Sequence, residues 1–111
     1  MAGSDLFTGS LDLLVLKAVT WGPRHGYAIA RWLREQTGET LPIHEGVLYP
    51  ALHRLERKGW LDEEWGATES NREAKFYRIT PAGRAALRVE TARWRAYTQV
   101  MNTALAAQHG P

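Results

Sequence analysis

The stretch EGVLYPALHRLERKGWL, residues 45–61, decides the fold. Leu48, Leu52 and Leu55 recur at the spacing of one face of a helix, which predicts a helix packed on a core. Pro50 lies within this pattern, although a proline inside a helix usually breaks it. If the helix begins at the start of the stretch, Pro50 falls in the first turn, where backbone N–H groups have no helical partner. The proline is then interpreted as the mark of a helix start.

Two further helices are predicted before this one. The segment GSLDLLVLKAV indicates a helix from about Ser10 to Val19, with Ser10 as its N-cap. The segment HGYAIARWLREQTG indicates a second helix, which Gly38 ends. A short strand is predicted in the connector, near residues 41–43.

A hairpin and a long helix are predicted after residue 59. WLDEEW and AKFYRIT are rich in aromatic and β-branched residues and are joined by a polar segment, which is typical of a β-hairpin. Thr80 is a predicted N-cap and Pro81 the first residue of a helix that runs to about Ala107. The apolar stripe of this helix has the alternating spacing of a coiled coil and indicates a dimer interface. It consists of Leu87, Thr91, Trp94, Thr98, Met101 and Leu105.

The order of elements is that of a winged helix-turn-helix protein. The predicted fold class is mainly α with a small β-hairpin. Residues 1–80 are predicted to form a winged helix-turn-helix DNA-binding domain, and residues 81–111 a C-terminal dimerisation helix and tail.

Composition narrows the class of protein without naming a ligand. The chain is 44% hydrophobic and 23% charged, which is ordinary for a soluble globular protein. It has no cysteine, so neither a disulfide nor a thiolate metal site is available, and no metal or cofactor is predicted. No apolar run is long enough for a membrane span or resembles a signal peptide, so a cytoplasmic protein is expected. The net charge of +2 is only weak support for nucleic acid.

In a helix-turn-helix the start of the second helix enters the major groove of DNA. The residues of the third predicted helix that point away from the core are candidate DNA contacts: Tyr49, Pro50, His53, Arg54 and Arg57. The hairpin loop adds Arg72 and Lys75 at a tip that winged domains lay against the flanking groove. The alternative is that Tyr49 is a core aromatic and that the arginines form a solvated surface.

Several segments resemble the PadR-like transcriptional regulators. They are LDLLVLKAVTWGPRHGYAIARWL, EGVLYPALHRLERKGWL and ESNREAKFYRITPAGRAAL, and the resemblance spans about residues 9–94. The short C-terminus is similar to the branch with one C-terminal helix. The resemblance implies a homodimeric repressor that binds an inverted-repeat operator, with helices 1 and 4 in the dimer interface. Some members of the family release DNA when they bind a small aromatic compound.

The resemblance also implies roles for single residues. Tyr49 resembles the family's phosphate-contacting tyrosine, His53 and Arg54 resemble groove-facing residues, and Arg72 and Lys75 resemble wing contacts. Val47 departs from the pattern, because many relatives have a small hydroxyl residue there. Trp94 either lines a ligand pocket at the dimer centre or belongs to the dimer core. The other tryptophans are interpreted as core or interface residues: Trp21, Trp32, Trp60 and Trp65.

Two other functions remain to be weighed. The four histidines are scattered, and no HExxH, nucleophile elbow or phosphate loop occurs, so an enzyme is not predicted. A winged-helix protein-interaction module without specific DNA binding is the stronger alternative. Salt separates the two, because DNA affinity falls steeply as salt rises and the affinity of an apolar groove does not.

Overall fold

The computed structural model describes residues 2–111, with side chains from residue 9 onward. The helices are α1 (Ala2–Ala18), α2 (Gly26–Gln36), α3 (Glu45–Arg57) and α4 (Pro81–Leu105). The strands are β1 (Arg24–His25), β2 (Leu61–Ala67) and β3 (Glu73–Ile79).

The core lies where α1, α2 and α3 meet the sheet. Leu48, Leu52 and Leu55 of α3 are completely buried, which confirms that this stripe faces inward. Burial of each such leucine contributes about 1.5–3 kcal/mol, so the stripe fixes which side of α3 is left outside. In the part of the chain whose side chains are described, the rest of the hydrophobic core consists of Leu11, Val15, Leu16, Ala18, Val19, Ile29, Ala30, Leu33, Ile43, Ala51, Leu61, Tyr77 and Ile79.

The sheet has three antiparallel strands in the order β1-β3-β2. The pairing of β2 with β3 confirms the predicted hairpin, with Leu61 opposite Ile79. The strand predicted near residues 41–43 is wrong, because Ile43 is instead a buried connector residue. Its carbonyl accepts a hydrogen bond of 3.0 Å from Arg34 Nη1. The third strand is β1, which is too short at two residues to show any periodicity in the sequence.

Helix α1 begins well before the predicted start at Ser10. It includes Ala2–Ala18, so Ser10 is an interior residue and not the N-cap. A serine inside a helix costs only a fraction of a kcal/mol relative to alanine, which is too little to end a helix by itself. A cap residue without a structural break before it is therefore an ambiguous signal.

Helix α4 begins as the sequence predicts. Thr80 Oγ1 accepts a hydrogen bond of 3.0 Å from the N–H of Gly83, and the Thr80 hydroxyl donates to the Gly59 carbonyl at 2.7 Å. Pro81 follows in the first turn. The helix ends at Leu105, two residues before the predicted Ala107.

Three helices followed by a hairpin form a winged helix-turn-helix, with α3 as its second helix and β2–β3 as its wing. Together with the long α4, this arrangement confirms the predicted fold class. Among the described residues, no helix is both long and apolar enough to cross a membrane.

Candidate nucleic-acid interface

The outward side of α3 begins at a histidine cap. His44 Nδ1 accepts a hydrogen bond of 3.1 Å from the N–H of Gly46 and so satisfies one of the free amides of the first turn. Because the leucine stripe turns inward, the opposite side of the helix is exposed. We call this exposed surface the α3 face; it carries Tyr49, Pro50, His53 and Arg57.

Pro50 lies deeper in the helix than the sequence indicates. Since α3 begins at Glu45, Pro50 is in the second turn, and the prediction of a first-turn proline is wrong. A proline at this point removes the hydrogen bond that residue 50 would donate to the carbonyl of Gly46. Both residues are exposed, so water can hydrate that carbonyl. The proline therefore marks the solvent side of α3 and not its start.

Tyr49 is held by a close approach to α2. A Cβ on Gly26 would lie 2.9 Å from the Tyr49 hydroxyl oxygen and 3.2 Å from its ring. Glycine at this position lets the ring lie against the start of α2. Tyr49 still has 39% of its surface exposed, so its hydroxyl can donate to a phosphate oxygen.

Arg54 does not join the α3 face. Its Nη2 and Nε donate to the two carboxylate oxygens of Asp12 on α1, at 2.7 Å and 3.2 Å. The hydrogen bond with Asp12 raises the pKa of the Arg54 guanidinium above its ordinary value, although burial acts in the opposite direction. The expectation that Arg54 faces the groove disagrees with this geometry, because the forked ion pair turns its guanidinium toward α1.

The wing carries one cation at its tip. Thr68 Oγ1 accepts a hydrogen bond of 3.2 Å from the N–H of Arg72 and closes the turn, in which Asn71 has a φ of 62°. The Arg72 side chain is exposed. In the part of the chain whose side chains are described, neither Arg57 nor Arg72 forms an ion pair, so both remain available to an anionic partner.

Lys75 lies within β3 and not at the tip. It is paired in register with Trp65 of β2. Its Nζ is 3.3 Å from Glu63 Oε1 and 6.0 Å from the centre of the Trp65 ring. Lys75 is thus partly neutralised within the wing, which differs from the sequence expectation of a free tip cation.

A carboxyl pair connects α3 to the wing. Burial and, after it, the hydrogen bond with the Glu63 carboxyl together raise the pKa of Glu56, on α3, to about 7. The same hydrogen bond holds the pKa of Glu63 below its ordinary range. Nearby, His53 Nδ1 lies 3.8 Å from Glu56 Oε1, and burial raises the pKa of the Tyr77 phenol to about 12. One proton is therefore shared between α3 and the wing near neutral pH.

We expect this pair to make stability depend on pH. Glu56 keeps its proton in the folded state up to about pH 7 but releases it near its ordinary value of 4.5 when unfolded. Its contribution is therefore complete below 4.5 and is lost as pH rises toward 7. Replacing Glu56 with glutamine removes this titration. At pH 8 the free energy of unfolding of the variant should be higher than that of the wild type by roughly 1 kcal/mol. One pKa unit of a fully buried group corresponds to ~1.4 kcal/mol, and the expected difference is smaller than the full shift would give because solvent screens this pair.

Urea unfolding of both proteins from pH 5 to pH 8 measures the difference. The pKa of Glu63 is held below its ordinary range, so the titration of Glu63 falls below this window. Glu69→Gln is the matched control in the exposed wing turn and should follow the wild type. Parallel curves for wild type and Glu56→Gln would show that the proton is not held at Glu56.

A cavity of ≈ 690 Å³ lies between α1 and α4. Trp94 and Tyr97 form part of its α4 wall, with their ring centres 6.4 Å apart. The remaining lining residues are Gly9, Ser10, Asp12, Leu13, Leu16, Lys58, Trp60, Glu90, Arg93 and Ala96. A volume in this range is typical of sites for small organic molecules.

The predicted dimer stripe on α4 changes character along its length. Leu87 packs against the core of its own chain, and Thr91 and Thr98 are half-buried. Leu105, by contrast, is 77% exposed, and Met101 is exposed as well. The first part of the stripe thus packs on its own chain. Trp94 is 40% exposed beside the cavity, and the last part of the stripe projects beyond the domain as an uncovered apolar surface.

Tryptophans separate into two groups. Trp32 and Trp60 are partly buried against the core, as expected. Trp21 and Trp65 are 63% and 64% exposed, so they are not core residues of this chain. The exposed position of Trp65 could not be read from β-strand composition, which favours aromatic residues on both faces.

Sequence reasoning missed three features of the site. It did not identify the histidine caps, His44 at α3 and His25 at α2, whose Nδ1 accepts a hydrogen bond of 3.3 Å from the N–H of Ala28. Histidine is not among the favoured N-cap residues. It missed Asp12 as the partner of Arg54, since the two are 42 residues apart. It also missed the contact of Glu63 with Glu56, because the two residues lie on different elements.

A winged helix-turn-helix with basic side chains on its second helix and wing is an architecture of transcription regulators. The chain belongs to the transcriptional regulator PadR-like family, whose family model matches residues 15–89. This confirms the resemblance inferred from the sequence. The family consists of transcription regulators, so the chain is a regulator and not an enzyme.

Individual relatives agree with this assignment. A PadR family transcriptional regulator from Eggerthella lenta is 32% identical, with a TM-score of 0.80 over 96% of this chain and 91% of that chain. A transcriptional regulator from Clostridium thermocellum is 31% identical, with a TM-score of 0.80 over 89% of this chain and 96% of that one. A transcriptional regulator of Mycobacterium tuberculosis is 42% identical over 64 residues, which are 58% of this chain and 46% of the relative.

Proposed function

We propose that the chain is a homodimeric repressor that binds an inverted-repeat operator in double-stranded DNA. The α3 face enters the major groove, and the wing turn lies against the neighbouring minor groove. The observation that carries the proposal is the placement of Arg57 and Arg72. Arg54 is paired with Asp12, and Lys75 is paired with Glu63. Arg57 and Arg72, by contrast, form no ion pair among the residues whose side chains are described, and both are exposed on the surfaces that a winged domain turns toward DNA.

Each exposed side chain has a role in this arrangement. Arg57 and Arg72 neutralise phosphates, and the Tyr49 hydroxyl donates to a phosphate oxygen. His53, with 62% of its side chain exposed, reaches a base edge or the backbone. Pro50 offers an apolar surface at the centre of the α3 face, suited to a thymine methyl group.

Dimerisation provides the second DNA-binding domain. We assign DNA binding to residues 1–80 and dimerisation to residues 81–111, where the end of α4 projects with exposed Val100, Met101 and Leu105. An apolar helix surface of this kind is stabilised by burial against a second copy. A symmetric dimer presents two α3 faces to two half-sites, so the operator is expected to be an inverted repeat.

The cavity beside Trp94 suits a small aromatic effector. Indole and phenol rings on α4 offer stacking surfaces, and the cavity borders both α1 and the chain that follows α3. A ligand there that fits the DNA-free form better than the DNA-bound form would release the operator by linkage.

The function is tested by incubating purified protein with fragmented genomic DNA at roughly physiological ionic strength, about 0.15 M. Bound fragments are then sequenced. We expect enrichment of a small set of fragments that share an inverted repeat. Affinity for such a fragment should fall by ~10³-fold or more between ~50 and ~200 mM salt, because several phosphates are neutralised.

The double variant Arg57→Ala, Arg72→Ala is the matched control. It removes two exposed cations, outside the core, and should weaken binding to all fragments and flatten the salt dependence. An absence of enrichment by the folded wild-type protein, or an affinity independent of salt, would instead favour a protein-interaction module.

A further inference from the structure

Arg54 stands apart from the other basic residues of α3. Its guanidinium forms a two-pronged ion pair with Asp12, and only 29% of its side chain and 14% of that of Asp12 are exposed. Two parallel N–H···O bonds fix the relative orientation of the groups as well as their distance. The pair therefore connects α3 with α1 at a defined angle.

This contact differs in kind from the leucine stripe. Packing of Leu48, Leu52 and Leu55 holds α3 on the core, but apolar contacts are non-directional and permit small rotations and shifts. The Asp12–Arg54 fork selects one of those orientations. Since base contacts depend on the placement of α3 to within fractions of an ångström, such a selection affects reading of DNA directly.

We propose that Arg54 is a positioning residue, which sets the orientation of α3 for DNA through its ion pair with Asp12 and does not itself contact DNA. The inference rests on the proposed function. Asp12 also connects the α1/α4 cavity with α3, because it lines the cavity and pairs with Arg54.

The first experiment compares Arg54→Ala, Arg54→Lys and Asp12→Asn with the wild-type protein. Affinity for the enriched operator is measured by fluorescence anisotropy at several salt concentrations. Each variant should lose about tenfold, the size of one lost base contact, with the slope of log K against log salt unchanged. Arg57→Ala is the matched control on the same helix and should reduce that slope by about one.

The second experiment exchanges the two charges in the double variant Asp12→Arg, Arg54→Asp. The exchanged pair can form the same fork between α1 and α3, so a positioning role predicts affinity within about threefold of wild type, as expected for strongly coupled neighbours. A residue that contacts phosphate cannot be replaced by aspartate, so a direct role predicts binding weaker than in either single variant.

Thermal unfolding of every variant separates positioning from a loss of folding. Arg54→Lys keeps a cation and replaces Arg54→Ala in the affinity comparison if the alanine variant is unstable. A flattened salt slope for Arg54→Ala, or failure of the exchanged pair to recover operator affinity while folded, would overturn the positioning role alone. A folded wild-type protein that binds no DNA fragment would overturn the proposed function as well.

Discussion

Replacing Gly83 with alanine is expected to lower the free energy of unfolding by about 3 kcal/mol, the upper end of the range for overpacking. Gly83 is buried in the first turn of α4. A Cβ at this position would clash with the carbonyl oxygen of Trp60 and would lie 2.8 Å from Ile79 Cγ1. The direction is opposite to helix propensity, which favours alanine over glycine by ~1 kcal/mol.

The carbonyl of Trp60 cannot move away at low cost. It accepts a hydrogen bond of 3.0 Å from the N–H of Thr80, and the N–H of Trp60 donates to the Leu55 carbonyl at 3.0 Å. The contact therefore joins the end of α3, the start of β2 and the first turn of α4. Moving α4 away to relieve the clash would break its cap and expose the neighbouring core.

Gly9 supplies the matched control, because it also lies inside a helix. Among the residues whose side chains are described, a Cβ at Gly9 would meet nothing within 4 Å. Gly9→Ala should therefore raise the free energy of unfolding, by up to ~1 kcal/mol. Urea titrations of the three proteins measure both effects. A gain in stability for Gly83→Ala would show that α4 does not approach the Trp60 carbonyl as closely as described.

Local signals were read correctly from the sequence. The leucine stripe of α3 and the Thr80-Pro81 start of α4 depend on spacing and cap chemistry within a few residues, and both are confirmed. The start of α1 was misplaced, because Ser10 fits a cap and a helix interior almost equally well. Signals of this kind identify an element more reliably than its boundary.

Long-range pairs could not be read from the sequence. The spacing of α3 places Arg54 near the exposed side of the helix, but this spacing does not reveal that Arg54 pairs with Asp12 on α1. Lys75 was assigned to the wing tip although it lies within the predicted strand segment AKFYRIT, and its register opposite Trp65 emerges only from the folded hairpin. Charge counted along the chain therefore overstated the number of free cations in the site.

The α4 stripe shows a third source of error. The same spacing is produced by a helix that packs on its own domain and by one that packs on a partner. Leu87 belongs to the first case, since it contacts the core of its own chain. A glutamate there would unfold the protein before it could report on dimerisation, so the dimer is better tested near the end of the helix.

The double variant Met101→Glu, Leu105→Glu is expected to be monomeric and to lose at least ~100-fold in operator affinity. Both residues are exposed on the projecting end of α4, where two buried carboxylates would oppose association without disturbing the core. A monomer binds each half-site separately and loses the gain from simultaneous engagement, which is typically 10²–10⁴-fold. Sedimentation velocity gives the oligomeric state, and fluorescence anisotropy gives the affinity.

The control places the same added charge on the polar side of α4. Gln99 and Asn102 share that side with Arg88 and Arg95 at helical spacing, and all four are exposed. The double variant Gln99→Glu, Asn102→Glu should therefore remain a dimer and keep its operator affinity. Circular dichroism tests whether both variants retain α4. If the Met101→Glu, Leu105→Glu variant is still a dimer, the end of α4 is not part of the interface, because two carboxylates at these positions could not be buried against a partner.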